Sequence, residues 1–315
     1  MARLPLTHAT TRDRPRRISP LVRRNMRNGM LFIAPWLIGL IVFTIYPILA
    51  SLYYSFTEYD IVSPPKFVGL ENYRTLLFSD PLFYQAVGNT LFYAAIAIPL
   101  NLVVAVLIAL LLNANVRGIS IYRTIFFLPS ILPDIAAAML WSWLLNPQFG
   151  LVNSLLKRIG LPSIGWLSDP LWAKPSLILI GVWTFGASLV IFLAALQDIP
   201  QHLYEAAELD GANTLQKTWH VTIPMLTPTI FFNLVLGMIG AFQYFTTAFV
   251  LSQGSGGPAG STLFYALLLY RNAFSYFKMG YASAMAWLLF AVVLMITWII
   301  FKTSGRWVYY EGEKA

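Results

Sequence analysis

Three histidines and no cysteine make up the whole stock of soft metal ligands and strong nucleophiles in this 315-residue sequence. His8, His202 and His220 fall into no H-E-x-x-H or comparable spacing, and without cysteine there is no thiolate metal site, disulfide or cysteine nucleophile. The glycine-rich run GSGGPAG at 254–260 lacks the Gly-Lys-Ser/Thr of a phosphate-cradling loop and reads as a flexible turn. No catalytic or metal-binding residue is therefore assigned. Acidic side chains crowd together in one place, the segment EAAELDGANTLQKTWHVTIP at 205–224. There Glu205, Glu208 and Asp210 surround the small residues Ala206, Ala207, Gly211 and Ala212, which let another surface approach the backbone. That combination suits protein docking, with an ordinary solvated helical hairpin as the plainer reading.

The elements that must carry this segment are apolar. Hydrophobic residues make up 58% of the chain and charged residues 11%, against about 25% charged in soluble domains. Crossing about 30 Å of hydrocarbon takes about 20 apolar residues, and six stretches qualify: 30–52, 86–112, 119–145, 175–196, 223–251 and 279–301. Five of them contain no Asp, Glu, Lys or Arg; the third holds Arg123 and Asp134. Asp134, an acid at membrane depth, is a candidate ion or proton site. It follows Pro129 and Pro133 and has no second buried acid or base nearby in sequence, so a structural role at a helix break is the favoured reading.

Eight arginines (Arg3, Arg12, Arg14, Arg16, Arg17, Arg23, Arg24, Arg27) precede the first stretch. They read as a topology signal rather than a nucleic-acid arm, because a membrane span follows directly. The 23 residues of that span exceed a signal-peptide h-region, and no A-x-A site closes it. Placing the N-terminus inside puts 14 basic residues on the inner side and 7 on the outer, which orients both termini inward. Trp141, Trp143, Trp166 and Trp172 then lie near the outer ends of spans three and four.

The resulting layout is a basic cytoplasmic tail at 1–29, a six-helix region at 30–302 with a cytoplasmic loop at 197–222, and a cytoplasmic tail at 303–315. Within the loop, Gln201 to Leu209 contains no helix breaker, Gly211 allows a turn, and Asn213 or Thr214 can cap a second helix running to Pro224. Polar and aromatic residues inside spans are candidates for a solute path: Asn233, Gln243, Tyr244, Phe245 and Thr247 in span five, Trp183 and Thr184 in span four.

Glu205-Ala206-Ala207, three residues, Gly211, nine residues and Val221-x-Ile223-Pro224 closely resemble the EAA signature of permease subunits in binding-protein-dependent ABC importers. The stretches APWLIGLIVFTIYPILASLYYSFTEYD, FVGLENYRTLL, NTLFYAAIAIPLNL and YRTIFFLPSILP extend the resemblance over roughly 30–302, toward the carbohydrate branch of maltose-, lactose- and sn-glycerol-3-phosphate-type permeases. Val221 and Ile223 are conservative departures from the family's usual residues. The resemblance implies an all-α membrane protein of six transmembrane helices with the type I ABC importer permease architecture, in a bacterial or archaeal cytoplasmic membrane. It implies ATPase coupling through Glu205, Ala206, Ala207, Glu208, Asp210, Gly211 and Ala212, and a sugar path near Gln243 and Tyr244. The outer loop Gly256-Gly257-Pro258 would touch the binding protein. The implied partners are a second permease chain, two ATPase copies, an extracytoplasmic binding protein, a sugar and the lipid bilayer, with no nucleic acid. No cofactor is expected in this chain, ATP and Mg belonging to the ATPase. A glycerol-phosphate or other polyol permease is the alternative, and an ion-coupled carrier or an intramembrane enzyme the competing classes.

Overall fold

The computed structural model describes residues 20–114 and 116–309. Arg3, Arg12, Arg14, Arg16, Arg17 and Lys314, and with them much of the charge bias, lie outside the described residues. The chain divides into two units, ending and beginning at Ser51 and Leu52. The first unit is helical from Pro20, the first residue of helix α1 (Pro20–Ser55). Its helix loosens into a π turn at Ile41–Ile45. Pro47 has no amide hydrogen for the Phe43 carbonyl and its ring would press on that oxygen, so a widened turn there relieves the strain.

The second unit is organised around α3 (Pro81–Leu112), which follows the short antiparallel pair β1 (Thr57–Glu58) and β2 (Lys66–Phe67) and helix α2 (Glu71–Phe78). Asp80 starts α3: its Oδ1 accepts from the Leu82 and Phe83 amides at 2.9 and 3.3 Å, and Pro81 fills the first helical position. Its other oxygen accepts from the Tyr281 hydroxyl at 2.6 Å. The opposite end is closed by Arg123, whose Nε and Nη2 donate to the Leu112 carbonyl at 3.2 and 3.0 Å. This explains how a cation is accommodated in the third apolar stretch: it serves a helix terminus, where orphan carbonyls need donors.

After α3 come α4 (Ile119–Phe127), α5 (Asp134–Leu144), α6 (Leu151–Arg158), α7 (Pro170–Trp183) and α8 (Gly186–Gln197). The hairpin helices α9 (Gln201–Leu209) and α10 (Thr214–Lys217) lead to α11 (Ile223–Phe242) and α12 (Thr246–Ser252). Last are α13 (Tyr265–Tyr270) and α14 (Met279–Ser304). Helix α3 packs against α7, α8, α11 and α13. Three apolar clusters result: around Tyr93, Leu177, Met238 and Phe264; around Ala105, Leu189, Phe192 and Leu226; and around Leu76, Phe83, Leu268 and Met285.

Among the described residues, the helical stretches Pro20–Ser55, Pro81–Leu112, Thr214–Ser252 and Met279–Ser304 are each long and apolar enough to cross a membrane. The third and fourth expected spans are bent pairs instead, at 99° between Ile119–Ile131 and Asp134–Leu144 and at 43° between α7 and α8. Counting each pair as one span gives up to six. Pro129 and Pro133 cause the sharper bend, since a 3-10 turn at Leu128–Ile131 is the only helical geometry left between them. Pro224, by contrast, does not end the second hairpin helix. The helix passes from α10 through a π turn at Thr218–Thr222 into α11, and that widened turn, like the one before Pro47, takes up the missing donor and the ring of Pro224.

Candidate functional site: a helical hairpin and a cavity at the helix breaks

The hairpin rests on local backbone chemistry. At the end of α9 the Gly211 amide donates to the Glu208 carbonyl at 3.0 Å and the Ala212 amide to the Ala207 carbonyl at 2.9 Å. This pair of bonds is a Schellman cap, which needs a left-handed residue after the helix; Gly211 supplies it at φ +81°. The four-residue spacing from Ala207 to Gly211 is thus the spacing of the cap itself. Asn213 then opens α10 with a capping box, its Oδ1 accepting from the Gln216 amide at 2.9 Å while Gln216 Oε1 accepts from the Asn213 amide at 2.8 Å.

One face of α9 holds the hairpin to the body. Leu203 and Tyr204 pack on the cluster around Leu226, and the Tyr204 hydroxyl lies 3.0 Å from Thr222 Oγ1. Lys217 closes the hairpin on Glu208 at 2.5 Å. The other face is open: Glu205, Ala206, Asp210 and Gly211 are exposed, Ala207 and Ala212 half-buried, and no atom lies within 4 Å of a Cβ placed on Gly211. Leu209 is 90% exposed and Leu215 67%, an apolar pair that the acid-and-alanine reading overlooked. The sequence signal was present, since two leucines flank a turn that has no core of its own.

The second site arises where helices are interrupted. Residues at three helix interruptions line one cavity of about 460 Å³: Asp134 directly after the break at Leu128–Pro133, Thr184 after α7, and Gln243, Tyr244 and Phe245 between α11 and α12. Irregular backbone at membrane depth is tolerated where it lines a cavity. Gln243, Tyr244, Phe245, Thr247 and Asn233 all line it. Tyr244 stacks on Tyr93 with ring centroids 4.3 Å apart and meets Phe264 edge-on at 5.3 Å; its hydroxyl is buried with no hydrogen-bond partner among the described residues. Asn233 donates to the Thr229 carbonyl at 2.9 Å, and Phe245 lies 5.0 Å from Tyr270.

Trp183 does not line this cavity: it ends α7 and meets Trp141 edge-on at 5.6 Å, and the break turns the next residue, Thr184, to the cavity instead. Asp134, favoured as structural, does line it and is exposed in the first turn of α5. Tyr93, Asn101 and Ser188 also line it and were missed; Asn101 was detectable as an isolated amide in the apolar run of α3.

The run 254–260 is not a flexible turn. Asn89 donates to the Gly260 and Leu263 carbonyls at 2.8 and 3.0 Å, Thr262 to Gly257 at 2.6 Å and Arg271 to Ser255 at 2.9 Å. Gly256, at φ +74°, is buried so closely that a Cβ would stand 2.8 Å from Leu263. Of the three residues expected to face a binding protein, Gly256 therefore offers no surface, while Gly257 and Pro258 are half-buried.

Comparison with known proteins gives a consistent result. Residues 101–308 match the family described as binding-protein-dependent transport system inner membrane component. The chain is 45% identical to the probable ABC transporter permease protein YesP of Bacillus subtilis (strain 168), over 93% of this chain and 95% of that one. It is 35% identical to the lactose transport system permease protein LacF of Rhizobium radiobacter, over 88% and 94%. Its fold is similar, at a TM-score of 0.79 and 25% identity, to a chain in the crystal structure of a bacterial ABC transporter involved in the import of the acidic polysaccharide alginate, covering 91% of this chain and 99% of that one.

Proposed function

The chain belongs to the family of binding-protein-dependent transport system inner membrane components, a multi-pass permease subunit of a binding-protein-dependent importer, and we propose from that premise that its cargo is a sugar or oligosaccharide. Supporting the cargo class are relatives named for lactose, arabinooligosaccharides and trehalose/maltose. In this reading the chain sits in the cytoplasmic membrane with both termini inside and pairs with a second permease. It receives energy from a cytoplasmic ATPase that holds ATP and Mg, and takes its solute from an extracytoplasmic binding protein. The hairpin at 201–222 is the coupling element, and the cavity at the helix breaks is this chain's half of the path.

The observation that carries the reading is the hairpin's two-sidedness. Leu203 and Tyr204 fix it to the body, while Glu205, Ala206 and Leu209 stand exposed around a glycine with open space beyond it. A rigid, exposed, small-residue surface with an apolar tip fits insertion into a partner's groove. The test is uptake and ATP hydrolysis in the assembled transporter carrying Gly211→Val or Glu205→Lys. Both variants are expected to assemble yet lose uptake relative to hydrolysis. Normal uptake in either one contradicts the assignment.

A further inference from the structure

We infer that Asp134 sets the charge selectivity of the cavity, so that this chain's half of the path accepts neutral saccharides and disfavours anionic solutes. The inference rests on the reading of the cavity as the solute path. Among the described residues, Asp134 is the one charged side chain in the lining, and no lysine, arginine or histidine is part of it. The carboxylate is exposed and has no ion-pair or hydrogen-bond partner among the described residues.

Its position matters as much as its charge. The first turn of a helix carries partial positive charge and free amides, the natural seat of an anionic ligand. In α5 that turn holds Asp134 itself, so the chain supplies its own anion where a phosphate or uronate would otherwise be attracted. The remaining polar lining is neutral, with Asn101, Thr184, Ser188, Asn233, Gln243 and Thr247 among it. A free carboxylate accepts hydrogen bonds from sugar hydroxyls. The Tyr93–Tyr244 pair adds aromatic surface suited to the apolar face of a pyranose. Glycerol phosphate or an acidic oligosaccharide meets instead an unneutralised like charge, whose repulsion falls as salt is added.

The absence of cysteine permits a test that needs no identified cargo. A single Ser188→Cys reporter is introduced in the complete transporter in membranes. Its rates of modification by a trimethylammonium-ethyl and a sulfonatoethyl methanethiosulfonate are then measured. With Asp134 present the cationic reagent is favoured, and in Asp134→Asn the cation-to-anion rate ratio is expected to fall on the order of tenfold. Asp134→Glu should keep most of the ratio. With Asp134 intact, raising ionic strength should lower it, a readout that does not depend on the variant folding. A ratio unchanged by Asp134→Asn, or insensitive to salt, overturns the inference. Should neither reagent reach Ser188→Cys while both label a Gln253→Cys control on the exposed loop, the cavity is closed to water and the path reading itself fails, taking the selectivity with it.

Discussion

The hairpin and the cavity are built by opposite means. The turn of the hairpin is shaped within 22 residues of sequence, by a Schellman cap, a capping box and one ion pair between near neighbours. The cavity draws on α3, α5, the α7–α8 break and the α11–α12 break, segments separated by up to some 150 positions. One site is a local motif presented on the surface; the other exists only after α3 has gathered three interrupted helices around itself. Damage to the two should therefore read out differently. Cavity lesions should alter solute handling or packing, whereas hairpin lesions should separate hydrolysis from transport.

The largest effect should come from the cavity wall. Tyr93 is 5% exposed and stacked on Tyr244, so Tyr93→Ala removes a buried aromatic ring, a change that costs about 3–5 kcal/mol. A clear drop in the thermal stability of the detergent-solubilised transporter is expected, and an unchanged melting temperature would show the stack to be dispensable. Next comes Gly211→Val. A β-branched residue at φ +81° stores about 1–3 kcal/mol of backbone strain, and because nothing lies within 4 Å of the added carbon the effect is conformational rather than steric. Gly211→Asn should then retain most of the uptake that Gly211→Val loses, since asparagine visits the left-handed region readily. Equal loss in both would indicate contact with a partner at that position instead of strain.

Smaller effects sharpen the contrast. Asn213→Ala removes a cap worth about 1 kcal/mol and should lower the uptake-to-hydrolysis ratio partially while leaving solute KM unchanged. Glu208→Gln breaks the ion pair with Lys217, in which the Glu208 side chain is 61% exposed; such a pair contributes about 0–1 kcal/mol, so only a slight, salt-dependent change in uptake is expected. A large change would mean that Glu208 also meets a partner.

The same contrast explains what could be read from sequence. The hairpin was legible because Ala207-x-x-x-Gly211 and Asn213-x-x-Gln216 are spacings whose meaning is fixed by hydrogen bonds a few residues long. The apolar stretches were legible as well, because length and hydropathy suffice to mark helices. The breaks were not. Pro129 and Pro133 announced one, but its 99° bend depends on packing against α8 and α12, which composition does not show. Asp134 shows the same limit: sequence places an acid beside a helix break but does not show the cavity that the acid lines. Trp183 and Thr184 differ by one position, and only the location of the α7 terminus decides which of them faces the cavity. The glycine-rich run was misread because the donors that rigidify it, Asn89 and Arg271, lie on other elements.

The central claim is that the hairpin is where this permease meets its energy source. Because the sequence has no cysteine, a single Leu209→Cys places one reactive thiol at the exposed tip of α9. Gln253→Cys places another beyond the far end of the helical stretch Thr214–Ser252. Cross-linking of each variant in the assembled transporter with a short reagent that carries a thiol-reactive group at one end and a photoactivatable group at the other should join Leu209→Cys to the ATPase subunit and leave Gln253→Cys unjoined to it. An ATPase cross-link from Gln253→Cys and none from Leu209→Cys would contradict the account.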